Sequence, residues 1–190
     1  MRIIAGKARG TKLFTLEGDT TRPTLDRVKE SIFNIIQNDI YDSIFLDLFS
    51  GSGAIGLEAV SRGARKAILC DLSKSAINII KKNIEKTHFE NQVELYNLHF
   101  EDMLKNLKEQ INIIYMDPPY KTDYIEKALK IIEKKPNITE ETKIIIETDD
   151  EEKIINSISD LNFEIIDKRK YGIAFIIFIQ KKPEKGKEAC

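Results

Sequence analysis

Cysteine and histidine are scarce, with two of each in 190 residues. Cys70 sits in an apolar run and Cys190 is the last residue, so no disulfide framework can be drawn. A reducing, cytoplasmic setting is therefore expected. His88 and His99 stand apart from each other and from both cysteines. They lack the spacing of a zinc site, so no metal is expected. Long apolar runs are missing too: none reaches the length that spans a bilayer. The start, Met1-Arg2-Ile3-Ile4-Ala5-Gly6, has no secretory stretch, and no membrane partner is expected. An excess of one charge is also lacking. Lys and Arg total 30 against 31 Asp and Glu, so net charge alone does not announce a nucleic-acid binder.

The distribution of charge says more. Residues 1–13 carry Arg2, Lys7, Arg9 and Lys12 and no acid. Arg22, Arg27 and Lys29 follow. Residues 140–153 hold seven acids against Lys143 and Lys153. A basic front and an acidic late segment can give a near-neutral molecule one side that faces a polyanion, although an unevenly charged solvated surface gives the same pattern.

About 42% of the residues are hydrophobic and fall in short bounded runs, enough for one domain with a core. Residues 1–14 read as two short strands around a turn with Gly6 and Gly10. After Pro23, with Thr24 as cap, Leu25, Val28, Ile32 and Ile35 recur at helical spacing over 25–37. Strands then alternate with helices: strands at 44–48, 67–71, 93–96, 111–116 and 143–147, helices to about 62 and at 74–86, 102–108, 123–134 and 151–159. Runs at 163–166 and 174–179 are separated by too few residues for a crossover helix and should be antiparallel. This pattern predicts an α/β, Rossmann-like fold: a seven-stranded, mostly parallel sheet with an antiparallel last strand, plus a small N-terminal hairpin-and-helix extension. The expected organisation is one domain over 1–180. Residues 1–40 are its extension, 41–180 its core, and 181–190 a disordered tail.

Two motifs carry chemistry. Asp47-Leu48-Phe49-Ser50-Gly51-Ser52-Gly53-Ala54-Ile55-Gly56 follows the first strand directly. Its small residues allow a tight turn and close approach to a ligand. The second strand ends at Asp71, whose carboxylate can accept hydrogen bonds from ribose hydroxyls. Gly51, Gly53 and Gly56 formally match a dinucleotide loop as well. However, Asp47 at the strand end suits an ammonium, which S-adenosylmethionine carries, better than a pyrophosphate. The adenine end falls after the third strand, among His99, Phe100, Glu101 and Asp102, with Glu101 and Asp102 undecided.

The second motif is Asp117-Pro118-Pro119-Tyr120, after the fourth strand. Consecutive prolines restrict the chain and offer no backbone donors. They can hold the Asp117 carboxylate and the Pro118 carbonyl as two fixed acceptors for the hydrogens of a planar amine, and Tyr120 can stack on its ring. This is catalysis by orientation and electrostatics, without a metal. Whether Asp117 takes a proton is left open. The pair of motifs points to methyl transfer onto an exocyclic amino nitrogen.

The chain resembles the RsmD family of ribosomal RNA guanine methyltransferases over about residues 2–180. The resemblance runs through Arg2-Ile3-Ile4-Ala5-Gly6, Arg9-Gly10-Thr11-Lys12-Leu13, Arg22-Pro23-Thr24, Asp26 to Glu30, Phe33-Asn34, Leu46 to Ala59, Ser61 to Ala64 and Asp117 to Tyr120. The N-terminal strings separate this family from other amino-methyltransferases. The resemblance implies S-adenosylmethionine-dependent methylation of the 2-amino group of a guanine in 16S ribosomal RNA, within an assembling small subunit, by a monomer. It implies a cofactor set of Asp47, Phe49, Ser50, Gly51, Ser52, Gly53, Asp71 and Leu72, with Phe100, Glu101 and Asp102 near the adenine. Arg2, Lys7, Arg9 and Lys12 would face RNA. Arg22, Thr24 and Arg27 would border the active site, with Asn34 as a further substrate-side residue. His99 stands where many relatives have Asp or Asn, and Asp71 where many have Glu. The same amine motif would also serve adenine N6 in DNA or RNA, or a glutamine amide in a protein. A non-catalytic binding module is the third class; loss of Asp117 or the glycines would favour it, and all are present.

Overall fold

Residues 1–16, 23–119 and 121–183 are described in a computed structural model, residues 23–25 by their backbone alone. The apolar runs become β1 (Ile44–Asp47), β2 (Lys66–Cys70), β3 (Val93–Tyr96), β4 (Ile113–Met116), β5 (Lys143–Thr148), β6 (Phe163–Tyr171) and β7 (Ala174–Lys181). The helices are α1 (Pro23–Ile35), α2 (Ala54–Ser61), α3 (Lys74–Thr87), α4 (Phe100–Asn106), α5 (Tyr124–Glu133) and α6 (Glu151–Ser159). One seven-stranded sheet has the order β3-β2-β1-β4-β5-β7-β6. β1 to β5 pair in parallel, and β7 runs antiparallel to both β5 and β6. The expected fold class is therefore the observed one. The strand order reverses between β1 and β4, which opens a crevice beyond their carboxyl ends.

Strand alternation sorts the core onto two faces. Leu46, Ile68, Ile114 and Ile144 pack with α4, α5 and α6. Phe45, Ile113, Ile145 and Phe178 pack with Val28, Ile32 and Phe33 of α1. Ala67 and Leu69 meet α2, α3 and the N-terminal segment. Phe33 is fully buried and stacks near Phe45, with ring centroids 6.2 Å apart. A buried side chain of that kind stabilises the fold by roughly 2–3 kcal/mol.

Four sequence expectations need correction. The helix after Pro23 starts at Pro23 itself, so Thr24 lies in the first turn and is not the cap. Proline suits that first position because its missing N–H has no helical partner there. The helix expected over 102–108 begins at Phe100, capped by His99, whose ring nitrogen accepts from the Glu101 N–H at 3.4 Å. The residues joining the last two strands are mostly strand: β6 continues to Tyr171, and only Gly172 and Ile173 turn the chain. Gly172, at φ +62°, allows that two-residue turn.

The N-terminal segment forms a single antiparallel bridge, Arg2 with Lys12, instead of two strands. Its backbone is satisfied elsewhere. The buried Glu58 carboxylate of α2 accepts from Ile4 N–H at 2.8 Å and Ala5 N–H at 3.0 Å. Ser61 accepts from Lys7 N–H through its carbonyl at 2.8 Å and from Ala8 N–H through its hydroxyl at 3.0 Å. Gly6 makes this approach possible. It holds φ +83°, and a Cβ there would lie 1.7 Å from the Ser61 carbonyl oxygen. Asn83 of α3 then accepts from Phe14 N–H at 2.8 Å and donates to the Phe14 carbonyl at 2.9 Å. Three buried polar residues of the core, Glu58, Ser61 and Asn83, thus fix a segment that has almost no secondary structure of its own.

Candidate active site

An acidic residue stands at or beside the carboxyl end of four parallel strands: Asp47, Asp71, Asp117 and Glu147. All four line one cavity of about 680 Å³ at the carboxyl edge of the sheet. Asp47 is 1% exposed. Its Oδ2 accepts from Gly56 N–H at 3.3 Å, while Oδ1 is buried with no hydrogen-bond partner. Burial pushes the carboxyl up to about 7, against the Gly56 hydrogen bond and with a further upward push from the negative charge of Asp71. A buried carboxylate oxygen without a donor is costly unless a ligand supplies one.

The turn after β1 is shaped by its glycines. Gly51 and Gly53 hold φ of +54° and +77°, and Gly53 caps α2. Asp71 fastens that turn from the next strand: Oδ2 accepts from Gly51 N–H at 2.8 Å, and Oδ1 from Ser73 N–H at 2.8 Å. Each oxygen keeps a lone pair for another donor. Ser50 donates to the Asp47 carbonyl at 2.8 Å and accepts from Cys70 N–H at 3.0 Å, tying the turn to β2. Beyond it, Phe49, Phe100, Tyr124 and His99 cluster with centroids 4.5–6.1 Å apart. Leu72 and Leu98 extend this apolar wall. The wall suits a flat ring, and the Asp47 end suits a cation.

On the α1 side, Asp47 pairs with Tyr115, and Tyr115 with Ile145. The buried Tyr115 hydroxyl donates to Glu147 Oε2 at 2.6 Å. Burial and the negative charges of Glu147 and Asp117 raise the Tyr115 hydroxyl well above its ordinary value. Burial also raises Glu147, and the hydrogen bond from Tyr115 works the other way. Lys29 of α1 reaches the cavity wall as well, held by Glu58 at 3.1 Å and the Arg2 carbonyl at 2.5 Å. Burial lowers its ammonium, against the pull of Glu58.

The chain matches the family model described as Conserved hypothetical protein 95 over residues 1–180. It is 34% identical to Ribosomal RNA small subunit methyltransferase D of Haemophilus influenzae, over 91% of this chain and 90% of that one. The Escherichia coli K12 protein of the same name is also 34% identical, across 78% of this chain and 75% of the other. The chain belongs to the RsmD family. The fold agrees. The solved structure of Escherichia coli yhhF aligns with a TM-score of 0.82 and 28% identity, covering 96% of this chain and 98% of that one. A Haemophilus influenzae structure aligns at 0.77 and 29%, covering 96% and 99%.

Within this RsmD-family chain, Asp47, Phe49, Ser50, Gly51, Ser52, Asp71, Leu72, Phe100, Asp117, Pro118 and Pro119 come together around the cavity. Gly53 stands behind them as the α2 cap. Glu101 and Asp102 do not join the wall: they occupy the first turn of α4, where Glu101 pairs with Lys105 at 3.4 Å. The two-residue shift in the start of that helix is the reason. Arg2, Lys7, Arg9, Lys12, Arg27 and Asn34 are exposed outside the cavity, Arg2 in an ion pair with Asp26 at 3.3 Å. Arg22, Tyr120 and the Thr24 side chain lie outside the described residues, as do residues 184–190. Sequence reasoning missed Lys29, Tyr115, Tyr124 and Glu147. Glu147 carried a usable signal, because it is an acid near the end of an apolar parallel strand, as Asp47 is. Tyr115 lies two residues before Asp117, and strand alternation gives both the same face.

Proposed function

We propose that this protein transfers a methyl group from S-adenosylmethionine to the exocyclic 2-amino group of a guanine in small-subunit (16S) ribosomal RNA. The observation that carries the reading is one cavity at the sheet's switch point. It joins a buried, unpartnered carboxylate oxygen on Asp47 to the Asp117-Pro118-Pro119 acceptors. Asp47 would hold the cofactor's ammonium, Asp71 its ribose, and Leu72, Leu98, His99 and Phe100 its adenine. When bound, the cofactor supplies an electrophilic methyl on a sulfonium. The Asp117 carboxylate and the Pro118 carbonyl would accept the two amine hydrogens and aim the nitrogen lone pair at that methyl. Tyr120 would stack on the base, which has to leave its helical stack to reach the pocket. The names of the relatives support ribosomal RNA as substrate. The basic residues Arg2, Lys7, Arg9 and Lys12, together with Arg22, Thr24, Arg27 and Asn34, would meet RNA in an assembling particle, the protein acting as a monomer.

The test is to incubate the protein and labelled S-adenosylmethionine with unmethylated small subunits, naked ribosomal RNA, DNA and protein, and to map the modified group. Label at guanine N2 is expected. Label on adenine or on a glutamine amide, with none on guanine, would refute the reading. Asp117→Ala should lose transfer by at least 100-fold while cofactor binding persists, as for removal of a transition-state hydrogen-bond partner. Near-normal turnover would remove Asp117 from the chemistry.

A further inference from the structure

We propose that Glu147 selects the base, its carboxylate accepting the ring N1–H that guanine presents beside its 2-amino group. The inference rests on the guanine-methylating reading above. Met116 pairs in parallel with Ile146, so Asp117, just past β4, and Glu147 of β5 each follow one residue after that pair. Both line the same cavity. Strand alternation puts Glu147 on the face of Asp47 and Tyr115.

Among the described residues, the single hydrogen bond to the Glu147 carboxyl comes from the Tyr115 hydroxyl, on Oε2 at 2.6 Å. No described lysine or arginine pairs with it. A carboxylate accepts up to about four hydrogen bonds, so most of its capacity is left for a ligand. Tyr115 stabilises the ionised form against burial and fixes its position. The other acceptors of the pocket account for an amine: Asp117 and the Pro118 carbonyl match its two hydrogens. A third acceptor beside them meets the next atom of the ring. In guanine the amino-bearing carbon is flanked by N1, which carries a hydrogen, and N3, which carries a lone pair, so a carboxylate there would orient the base with N1 towards it. In adenine and cytosine the ring nitrogen beside the amino group carries a lone pair, which a carboxylate repels. A site built around a hydrogen-bond donor discriminates strongly against an analogue that lacks it.

The experiment uses small-subunit particles assembled from ligated RNA, with guanine or 2-aminopurine at the mapped target. 2-Aminopurine keeps the 2-amino group but has no N1–H. Wild-type protein should favour guanine in kcat/KM by about 10- to 100-fold, the span of a charge-assisted hydrogen bond. In Glu147→Gln the preference should fall towards unity, because an amide can accept from N1–H or donate to bare N1. Tyr115→Phe keeps the carboxyl but removes the donor that holds it, so the preference should fall less than in Glu147→Gln. A ratio of rates does not depend on the fraction of protein folded, so a destabilised variant still reports. An unchanged preference in Glu147→Gln would overturn the proposal and leave Glu147 as a tie between strands. Equal use of both bases by the wild-type protein would overturn it as well. Absence of label from unmodified particles would sink the guanine reading itself, and is read separately.

Discussion

The unpartnered oxygen of Asp47 makes cofactor binding depend on pH in a calculable way. Burial moves this carboxyl from 3.8 to about 7. With that value, about one-tenth of the unliganded protein is ionised at pH 6 and about three-quarters at pH 7.5. An ammonium needs the ionised form. Affinity for S-adenosylhomocysteine should therefore rise about eightfold between pH 6 and pH 7.5 and then level off. Asp47→Asn should bind more weakly and without this slope. Stability runs in the opposite sense. A carboxyl raised on folding contributes stability that is fully present below 3.8 and lost as pH rises through about 7. Treating Asn as a stand-in for the protonated acid, the unliganded Asp47→Asn protein should exceed the wild type by roughly 2 kcal/mol at pH 5 and roughly 4 kcal/mol at pH 8. Isothermal titration across pH, corrected for the ligand's own amine, reads the first effect. Urea unfolding of both proteins at the two pH values reads the second. An affinity that is flat with pH, or a stability gap that does not widen from pH 5 to pH 8, would show that Asp47 is not the buried, donor-seeking acid described here.

Three further outcomes follow from the N-terminal segment. Glu58→Ala leaves Lys29 buried without its carboxylate and removes the acceptor for Ile4 and Ala5. It should cost about 3–5 kcal/mol and speed amide exchange at those two residues; unchanged exchange would mean that the segment is held by other contacts. Gly6→Ala drives a Cβ into the Ser61 carbonyl and should destabilise by several kcal/mol in urea titration. Gly10→Ala meets nothing within 4 Å and should cost only about 1 kcal/mol for its positive φ, so equal losses at the two glycines would contradict the packing argument. Replacing Arg9 and Lys12 by Ala should weaken binding to the ribosomal substrate and flatten its salt dependence by up to about two charges; an unchanged slope would take both residues off the RNA face.

The strands and the two motifs were legible because their signals are local. An apolar run bounded by turn residues is a strand whatever surrounds it, and a glycine or proline limits the backbone at its own position. Asp47, Gly51, Asp71 and Asp117 could be assigned to one site because parallel strands alternating with helices bring their carboxyl ends to one edge. The start of α4 was misplaced by two residues. It depended on His99 acting as a local cap and on Phe100 turning inward onto Phe49 and Tyr124, the latter being contacts between distant parts of the chain. Glu101 and Asp102 were candidates for their place after the third strand, and the earlier start of α4 puts both in its first turn.

By itself, the order of residues determined the sheet, the turn after the first strand, the amine-acceptor motif and the family, since each is written in short strings with local physical consequences. Only the tertiary structure decided how far the carboxylates differ. Asp71 is bonded through both oxygens to backbone amides, Asp47 keeps one oxygen buried and unpartnered, and Glu147 shares the hydroxyl of Tyr115 from the neighbouring strand. The tertiary structure also decided that Glu58 and Asn83 fasten the N-terminal segment. In sequence these are ordinary polar residues of two helices. Burial and partners from more than 50 residues away set their roles. The physical reason is that a carboxylate's chemistry depends on its solvent and its donors, and folding alone assigns both.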